Sequence, residues 1–167
     1  MFASTINDPP PEVELKYLKI TDVIFGGFKD QTLDVLPIIE ITQWIEKIIK
    51  KYNPNIIYTH HFGDINRDHK LVHEATLTAA RPYSGFYIEQ ILCYETPSAT
   101  EWSIPNPSYT FNPNVFVDIS DFLEHKLKAM NYYVTEIKQH PHPRSIKSLK
   151  SRAQYWGSVI GAVAAEP

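Results

Sequence analysis

The sequence predicts an α/β fold in which a doubly wound, mostly parallel sheet lies in a three-layer, Rossmann-like sandwich. Short apolar runs rich in β-branched and aromatic residues alternate with segments whose apolar residues recur every three or four positions. Strands that alternate with helices in this way are typical of parallel βαβ units. Polar residues also gather where the predicted strands end, which is where open α/β sheets bind their ligands.

Four strands are predicted, each from a local signal. Residues 23–25 form a β-branched and aromatic run that ends at a Gly-Gly pair. Residues 55–59 have a continuous apolar centre, as expected for a strand that is covered on both sheet faces. The third strand covers residues 88–94 and a short fourth strand covers residues 115–118. No strand is expected after the last helix.

Four helices are predicted from apolar residues at helical spacing. The first covers residues 37–53 and the second covers residues 69–80. A long third helix is expected over residues 120–137, with Ser120 as its N-cap. The last covers residues 145–163. The proline-rich stretch between the third and fourth strands is predicted to be a long ordered loop, a feature that is usually a lid or a binding loop.

Composition excludes several classes of protein. The 167 residues suit one domain over residues 1–167, and a formal charge of −3 without a basic stripe argues against a nucleic-acid binder. The single cysteine, Cys93, lies in an apolar run, which favours a buried structural thiol and a reducing compartment. Neither a signal peptide nor a membrane span is visible. We therefore expect a cytoplasmic protein with no nucleic-acid or membrane partner.

Residues 60–69 are the strongest candidate for a site. The run His-His-Phe-Gly-Asp-Ile-Asn-Arg-Asp-His follows a predicted strand and leads into a helix. His69 falls in the first helical turn, where the helix dipole favours the neutral imidazole that binds a metal. The alternative is structural: His60 and His61 would satisfy backbone groups at a strand end, while Asp64 and Asn66 would shape a turn.

Other polar clusters have simpler interpretations. His69 and His73 form an i, i+4 pair that could chelate a metal, although such pairs are common by chance. Residues 140–145 form either a linker that ends in the N-cap Ser145 or a substrate-facing segment. His125 is predicted to be a surface residue on its helix, and the basic stretch 147–152 is predicted to be a solvated helix face.

Residues 60–69 resemble the second signature of the PIG-L/LmbE-like deacetylases, which is a strand followed by His-His-x-x-Asp-x-Asn-x-Asp-His. Residues 27–30, 94–102, 114–119 and 142–145 recur in that family in the same order. Several separated motifs in one order make the resemblance more specific than any single motif. It extends over most of the chain, from about residue 13 to residue 166.

The resemblance implies a zinc-dependent hydrolase that removes the N-acetyl group of an amino-sugar conjugate. It implies that His69 is a zinc ligand, that Asp68 orients the site, and that Asn66 takes a position where some relatives carry a catalytic histidine. Asn66 and Asp68 are thus the predicted catalytic residues. The predicted substrate-binding residues are Asp30, His61, Asp64, Glu101, His142 and Arg144. Glu95, Glu101 and Trp102 are expected to line the same cavity as His69.

The family's first signature, His-Pro-Asp-Asp-Glu, is not present in the sequence. In the family it supplies two further zinc ligands and the general base. We therefore expect an incomplete copy of the enzyme that lacks N-terminal strands and the final strand. This chain should bind zinc weakly, show negligible activity alone, and self-associate through an open apolar edge at residues 56–58. The alternative is an inactive carbohydrate-binding remnant or subunit.

Overall fold

The structure is a computed structural model that describes residues 16–82, 85 and 87–167. These residues form two compact units within the domain predicted over residues 1–167. Residues 23–111 belong to the first unit, and residues 16–22 and 112–167 belong to the second. Each unit has its own cluster of buried apolar side chains.

A parallel βαβ motif organises the first unit. Its elements are a 3₁₀ turn at Leu33–Val35, helix α1 at Ile38–Tyr52, strand β1 at Ile56–His60, helix α2 at Arg67–Ala79 and strand β2 at Gln90–Tyr94. Strands β1 and β2 pair in parallel, with Ile56 opposite Gln90 and His60 opposite Tyr94. Helix α2 is the crossover between them. The predicted order of helix, strand, helix and strand is therefore confirmed in this unit.

The core of the first unit lies between the helices and one face of the sheet. Ile41, Ile45 and Ile49 repeat at steps of four and are buried against Val72 and Ala75 of α2. Each such side chain contributes about 1.5–3 kcal/mol when it is withdrawn from water. Helix α1 ends at Asn53, which adopts the left-handed conformation at φ 43° and donates its N–H to Ile49 O.

The second unit packs two helices beside an antiparallel strand pair. Its elements are β3 at Val117–Asp118, a 3₁₀ turn at Ser120–Phe122, α3 at Leu123–Met130, α4 at Ile146–Ile160 and β4 at Ala165–Glu166. Leu123 and Leu127 of α3 form an apolar cluster with Leu149 and Ala153 of α4. Ser145 caps α4 as predicted, because its hydroxyl oxygen accepts the N–H of Ser148 at 3.1 Å.

Three predicted elements differ from the structure. Residues 23–25 form no strand, since no described segment pairs with them and a strand needs a partner for its backbone groups. The fourth strand is confined to Val117–Asp118, and it pairs with Ala165–Glu166, a strand that was not expected. The helix predicted over residues 120–137 ends at Met130, and Val134 beyond it is 80% exposed.

The early end of α3 follows from its hydrogen bonds. The amides of Tyr132 and Tyr133 donate three residues back, to Ala129 O and Met130 O, so the chain tightens into turns. Ser120 does not cap α3. Its amide and its hydroxyl donate to the carboxylate of Asp118 instead, which places Ser120 in the 3₁₀ turn.

The mixed α/β class is confirmed, with helices and a small parallel sheet. Among the described residues the parallel sheet has two strands, and α1 and α2 cover the face that carries Ile57 and Ile91. On β1 the opposite face carries Ile56 and Tyr58, which are 44% and 47% exposed. The third layer of the predicted sandwich and self-association at this edge stay predictions. None of the described helices combines the length and apolarity needed to cross a membrane.

Candidate active site

The candidate site lies at the carboxyl ends of β1 and β2. The loop after β1, which we call the site loop, covers residues 61–66. The loop after β2 begins at residue 95. Because the two strands are parallel neighbours, both loops leave the same edge of the sheet. They are tied together directly, since the amide of Ile65 donates to the carbonyl of Ala99 at 3.0 Å. The predicted convergence of these two loops is therefore confirmed.

Asp64 and His69 form the centre of the site. Asp64 is fully buried, and its Oδ2 accepts a hydrogen bond from His69 Nδ1 at 2.7 Å. Its other oxygen, Oδ1, accepts the hydroxyl proton of Thr100 at 2.6 Å. With the proton on Nδ1, the neutral His69 ring keeps the lone pair on Nε2. A carboxylate behind a histidine in this way is the usual support of a metal ligand.

His60 and Tyr94 border this pair. The His60 ring stacks on the His69 ring, with centroids 3.8 Å apart and planes inclined by 7°. The Tyr94 ring packs edge-on to His60 at 5.1 Å, and its hydroxyl lies 3.5 Å from His60 Nε2. Burial, and then the negative charge of Asp64, raise the pKa of Tyr94 above its ordinary value. The Tyr94 hydroxyl therefore stays protonated and able to donate a hydrogen bond.

Three side chains of the site are of the types that bind zinc. His60, Asp64 and His69 each offer a ligand atom, and these atoms lie within 4.8 Å of one another. An imidazole binds a metal in the plane of its ring, and the parallel planes of His60 and His69 cannot both contain one ion. The residues therefore fit zinc through His69 Nε2 supported by Asp64, and His60 could join only after its ring rotates.

Asn66 and Asp68 have structural contacts that are well defined. Asn66 is the N-cap of α2, and its Oδ1 accepts the amide of Asp68 at 2.9 Å. The carboxylate of Asp68 is buried and accepts the amides of Gln31 at 2.8 Å and Leu33 at 3.1 Å. Asp68 thereby holds the segment next to Asp30 against the first turn of α2. The catalytic roles of Asn66 and Asp68, including the orienting role expected of Asp68, stay predictions.

His61 contacts the long loop after β2. It is 4% exposed, and its Nε2 donates to the carbonyl of Tyr109 at 2.8 Å. This contact fastens the long loop after β2 to the loop after β1. The structural alternative for His61, that it satisfies a backbone group, is the arrangement observed. Contact between His61 and a substrate stays a prediction.

Gly63 allows this close approach of the two loops. A Cβ at position 63 would overlap the carbonyl of Tyr109 and the ring of His61. We expect Gly63→Ala to separate the loops and to lower the free energy of unfolding by about 1–3 kcal/mol, the usual range for overpacking. Urea denaturation would measure the change. Ile65→Val, at an exposed position of the same loop, should change stability by less than about 0.5 kcal/mol. Equal stability of both variants would contradict the predicted contact.

The remaining predicted substrate residues are dispersed. Asp30 is half-buried beside the segment that Asp68 holds, and exposed Glu101 accepts the amide of Ser98 at 2.9 Å. Trp102 is 51% exposed. His142 and Arg144 lie in the second unit, where His142 Nδ1 accepts the amide of Arg144 at 3.1 Å and Arg144 pairs with Glu136. Their substrate contacts stay predictions.

In the alternative metal pair of His69 and His73, the Nδ1 of His73 is already engaged elsewhere. His73 Nδ1 donates to the carbonyl of His60 at 2.9 Å and also lies 3.7 Å from the sulfur of Cys93. Its ring is thus used to hold the end of β1. Burial, followed by the charge of Asp64, raises the pKa of the Cys93 thiol, which keeps it protonated and inert. This agrees with the structural role predicted from sequence, although Cys93 is half-buried and not fully buried as expected.

Two residues at the centre were not identified from the sequence. Tyr94 is the register partner of His60, so pairing the ends of the two parallel strands would have pointed to it. Thr100 is 36 residues from Asp64 in the chain and reaches it only through the fold. A threonine in a proline-containing loop carries no chemical signal of its own.

Comparisons with known proteins place the candidate site within a recognised family region. The family model described as PIG-L, GlcNAc-PI de-N-acetylase, matches residues 12–80, which include β1, the site loop and α2. Comparison with curated proteins finds no match.

Two solved structures share the fold. The conserved protein TT1542 from Thermus thermophilus is 20% identical with a TM-score of 0.72, and the match covers 93% of this chain and 68% of that one. The N,N'-diacetylchitobiose deacetylase from Pyrococcus horikoshii, complexed with its inhibitor MPG, is 19% identical with a TM-score of 0.65. That match covers 93% of this chain and 59% of the deacetylase, so this chain spans less than two thirds of its length.

Proposed function

We propose that this chain, a member of the PIG-L/LmbE-like family, acts in zinc-dependent removal of an N-acetyl group from an N-acetylglucosamine-type conjugate. Family membership, expected from the motifs, is supported by the match over residues 12–80. The observation that carries the proposal is the hydrogen bond from His69 Nδ1 to buried Asp64 at the carboxyl end of β1. It leaves His69 Nε2 as a directed metal ligand.

The residues around His69 have distinct proposed tasks. Asp64 holds the ring so that Nε2 points in one direction, and Tyr94 offers a protonated hydroxyl beside His60. A zinc ion bound there would lower the pKa of its water to about 7 and polarise an acetamide carbonyl. Asn66 caps α2 through Oδ1, and we propose that its Nδ2 donates toward the carbonyl oxygen of the substrate. Asp68 keeps the Asp30 segment in place.

The proposed substrate class follows from what the matches have in common. The family description names GlcNAc-PI, and the Pyrococcus neighbour is named for N,N'-diacetylchitobiose. Both contain glucosamine with an acetamido group. We propose that the carboxylates of Asp30 and Glu101 accept hydrogen bonds from sugar hydroxyls, and that His142 and Arg144 contact the remainder of the conjugate.

A second function is favoured by one observation. The buried carboxylates of Asp64 in the loop after β1 and Asp68 in α2 have a protein donor on each oxygen: Asp64 accepts from His69 and Thr100, and Asp68 accepts two backbone amides. Neither is placed to take a proton from an attacking water. A carbohydrate-binding protein without catalysis would need no such base. The alternative proposal is therefore a non-catalytic sugar-binding chain.

One experiment separates the two proposals. N,N'-diacetylchitobiose is offered with zinc to this chain and to the same chain preceded by a segment that carries His-Pro-Asp-Asp-Glu, because the sequence contains no such run. Ligand-observed NMR measures binding, and an enzymatic assay measures released acetate. Because a positioned base contributes about 10²–10⁴-fold, we expect the extended chain to release acetate at least about 10²-fold faster. Chelation should abolish that release.

The possible results have different meanings. Acetate release that a chelator stops supports the hydrolase. Binding without release from either chain supports the sugar-binding alternative. If neither chain binds the sugar in the presence of zinc, both proposals are wrong.

A further inference from the structure

We propose that Thr100 is a positioning residue for His69, acting through Asp64, so that the loop after β2 sets the direction of the His69 Nε2 lone pair. The inference deepens the proposed function and rests on it wherever zinc is concerned. The relay itself, from Thr100 to Asp64 to His69, is a property of the metal-free protein. It can therefore be tested separately from zinc binding and from hydrolysis.

Two hydrogen bonds define the orientation of the buried Asp64 carboxylate. Its side chain is completely buried, and a buried carboxylate is stable only when its oxygens are hydrogen-bonded. Oδ2 accepts a hydrogen bond from His69 Nδ1 at 2.7 Å, and Oδ1 accepts one from the Thr100 hydroxyl at 2.6 Å. The two partners therefore define the orientation of the carboxylate between them. Without Thr100, Oδ1 would be left without this donor and the carboxylate could rotate.

The Thr100 hydroxyl is oriented by the turn in which it lies. The amide of Thr96 donates to Thr100 Oγ1 at 2.7 Å, which uses a lone pair of that oxygen. The amide of Thr100 in turn donates to the carbonyl of Thr96 at 3.0 Å, which closes a tight turn. The hydroxyl proton is donated to Oδ1 of Asp64. Thr100 is thus a directed donor, because its own turn fixes it.

The turn at residues 96–100 is also anchored by contacts that do not involve the Thr100 hydroxyl. The carbonyl of Ala99 accepts the amide of Ile65, and the hydroxyl of Ser103 donates to the carbonyl of Gly63. Removal of the Thr100 hydroxyl alone leaves both connections intact. A valine at position 100 keeps the shape of threonine, so its direct effects should be confined to Asp64 and His69 and to the amide of Thr96, which loses its acceptor.

The test uses the full chain with ¹⁵N-labelled histidine, first without metal. In the wild-type protein we expect the His69 ring to be the Nδ1–H tautomer, with Nε2 showing the chemical shift of an unprotonated nitrogen. In Thr100→Val we expect a mixture of tautomers, and in Thr100→Ser a return to the wild-type pattern. Thr110→Val is the matched control, since the Thr110 hydroxyl in the same loop donates only to Asn106 O.

Zinc is then added to the same variants, and its affinity is measured by competition with a chromophoric chelator. Loss of an outer-shell partner typically weakens a metal site by about 10–100-fold, and we expect this loss for Thr100→Val but not for Thr100→Ser or Thr110→Val. An altered tautomer without zinc binding in any variant would support the relay and contradict the proposed zinc function.

Two results would overturn the inference. One is a wild-type His69 that carries its proton on Nε2, which needs no variant and so holds even if Thr100→Val does not fold. The other is a folded Thr100→Val protein whose His69 tautomer and zinc affinity equal those of the wild type. Thr100 would then serve only to close its own turn.

Discussion

Replacing His69 by alanine is expected to abolish measurable zinc binding by this chain. The zinc affinity of the wild-type chain should itself be weak, because the site offers a single oriented histidine ligand. Among the described histidines, His69 is the one whose ring is oriented by a hydrogen bond to a buried carboxylate, which leaves its Nε2 available for the metal. Since loss of an outer-shell partner already costs about 10–100-fold, loss of the ligand should cost more than about 100-fold. Isothermal titration of the metal-free protein with zinc measures the effect.

His73→Ala is the matched control on the same helix. The Nδ1 of His73 donates to the carbonyl of His60, where it holds the end of β1, so zinc affinity should remain within a few-fold of the wild type. Equal losses in His69→Ala and His73→Ala would identify the i, i+4 pair as the metal site instead. Tight, stoichiometric zinc in the wild-type chain would show that further ligands complete the shell.

Asp68→Asn is expected to be the most destabilising polar substitution in the first unit. Asp68 is 1% exposed and accepts the amides of Gln31 and Leu33. An asparagine has the same shape, but its NH₂ group would face an amide donor where an oxygen is needed. Hydrogen bonds to charged groups contribute about 1.5–3 kcal/mol each, so we expect a loss of about 2–4 kcal/mol. Typical domains have only about 5–15 kcal/mol of stability.

Urea denaturation followed by tryptophan fluorescence gives the loss, and hydrogen exchange at the amides of residues 31 and 33 locates it. Asp34→Asn is the control, since Asp34 lies in the same segment but is exposed, and it should change stability by less than about 0.5 kcal/mol. Unchanged exchange at residues 31 and 33 in Asp68→Asn would show that Asp68 does not hold this segment.

Elements whose signals are local were predictable from sequence. Helix α1 has an apolar repeat at steps of four and ends at an asparagine in the left-handed conformation. The N-cap Ser145 was recognisable for the same reason, because its partner Ser148 is three residues away. Strand β1 was recognisable as an apolar run between turn residues. In each case the deciding interactions lie within a few residues along the chain.

Elements that depend on a distant partner were predicted less well. Residues 23–25 have strand composition, yet no described segment pairs with them. The apolar repeat beyond Met130 continues in the sequence, but Val134 is exposed because the chain turns before reaching it. Conversely, β4 is only two residues long and exists because it pairs with β3. Composition alone contains no information about such partners.

The same division applies to the site. The sequence alone determined that His69 lies in the first turn of a helix that follows a strand, and that the loops after residues 60 and 94 share a sheet edge. Only the tertiary structure decided that Asp64 lies between His69 and Thr100. The same is true of the hydrogen bond from His61 to the carbonyl of Tyr109, and of the one that Asp68 accepts from the amide of Gln31. The contacts of Thr100, Tyr109 and Gln31 join residues 36 or more positions apart. They depend on strand register and loop packing, which are properties of the folded chain as a whole.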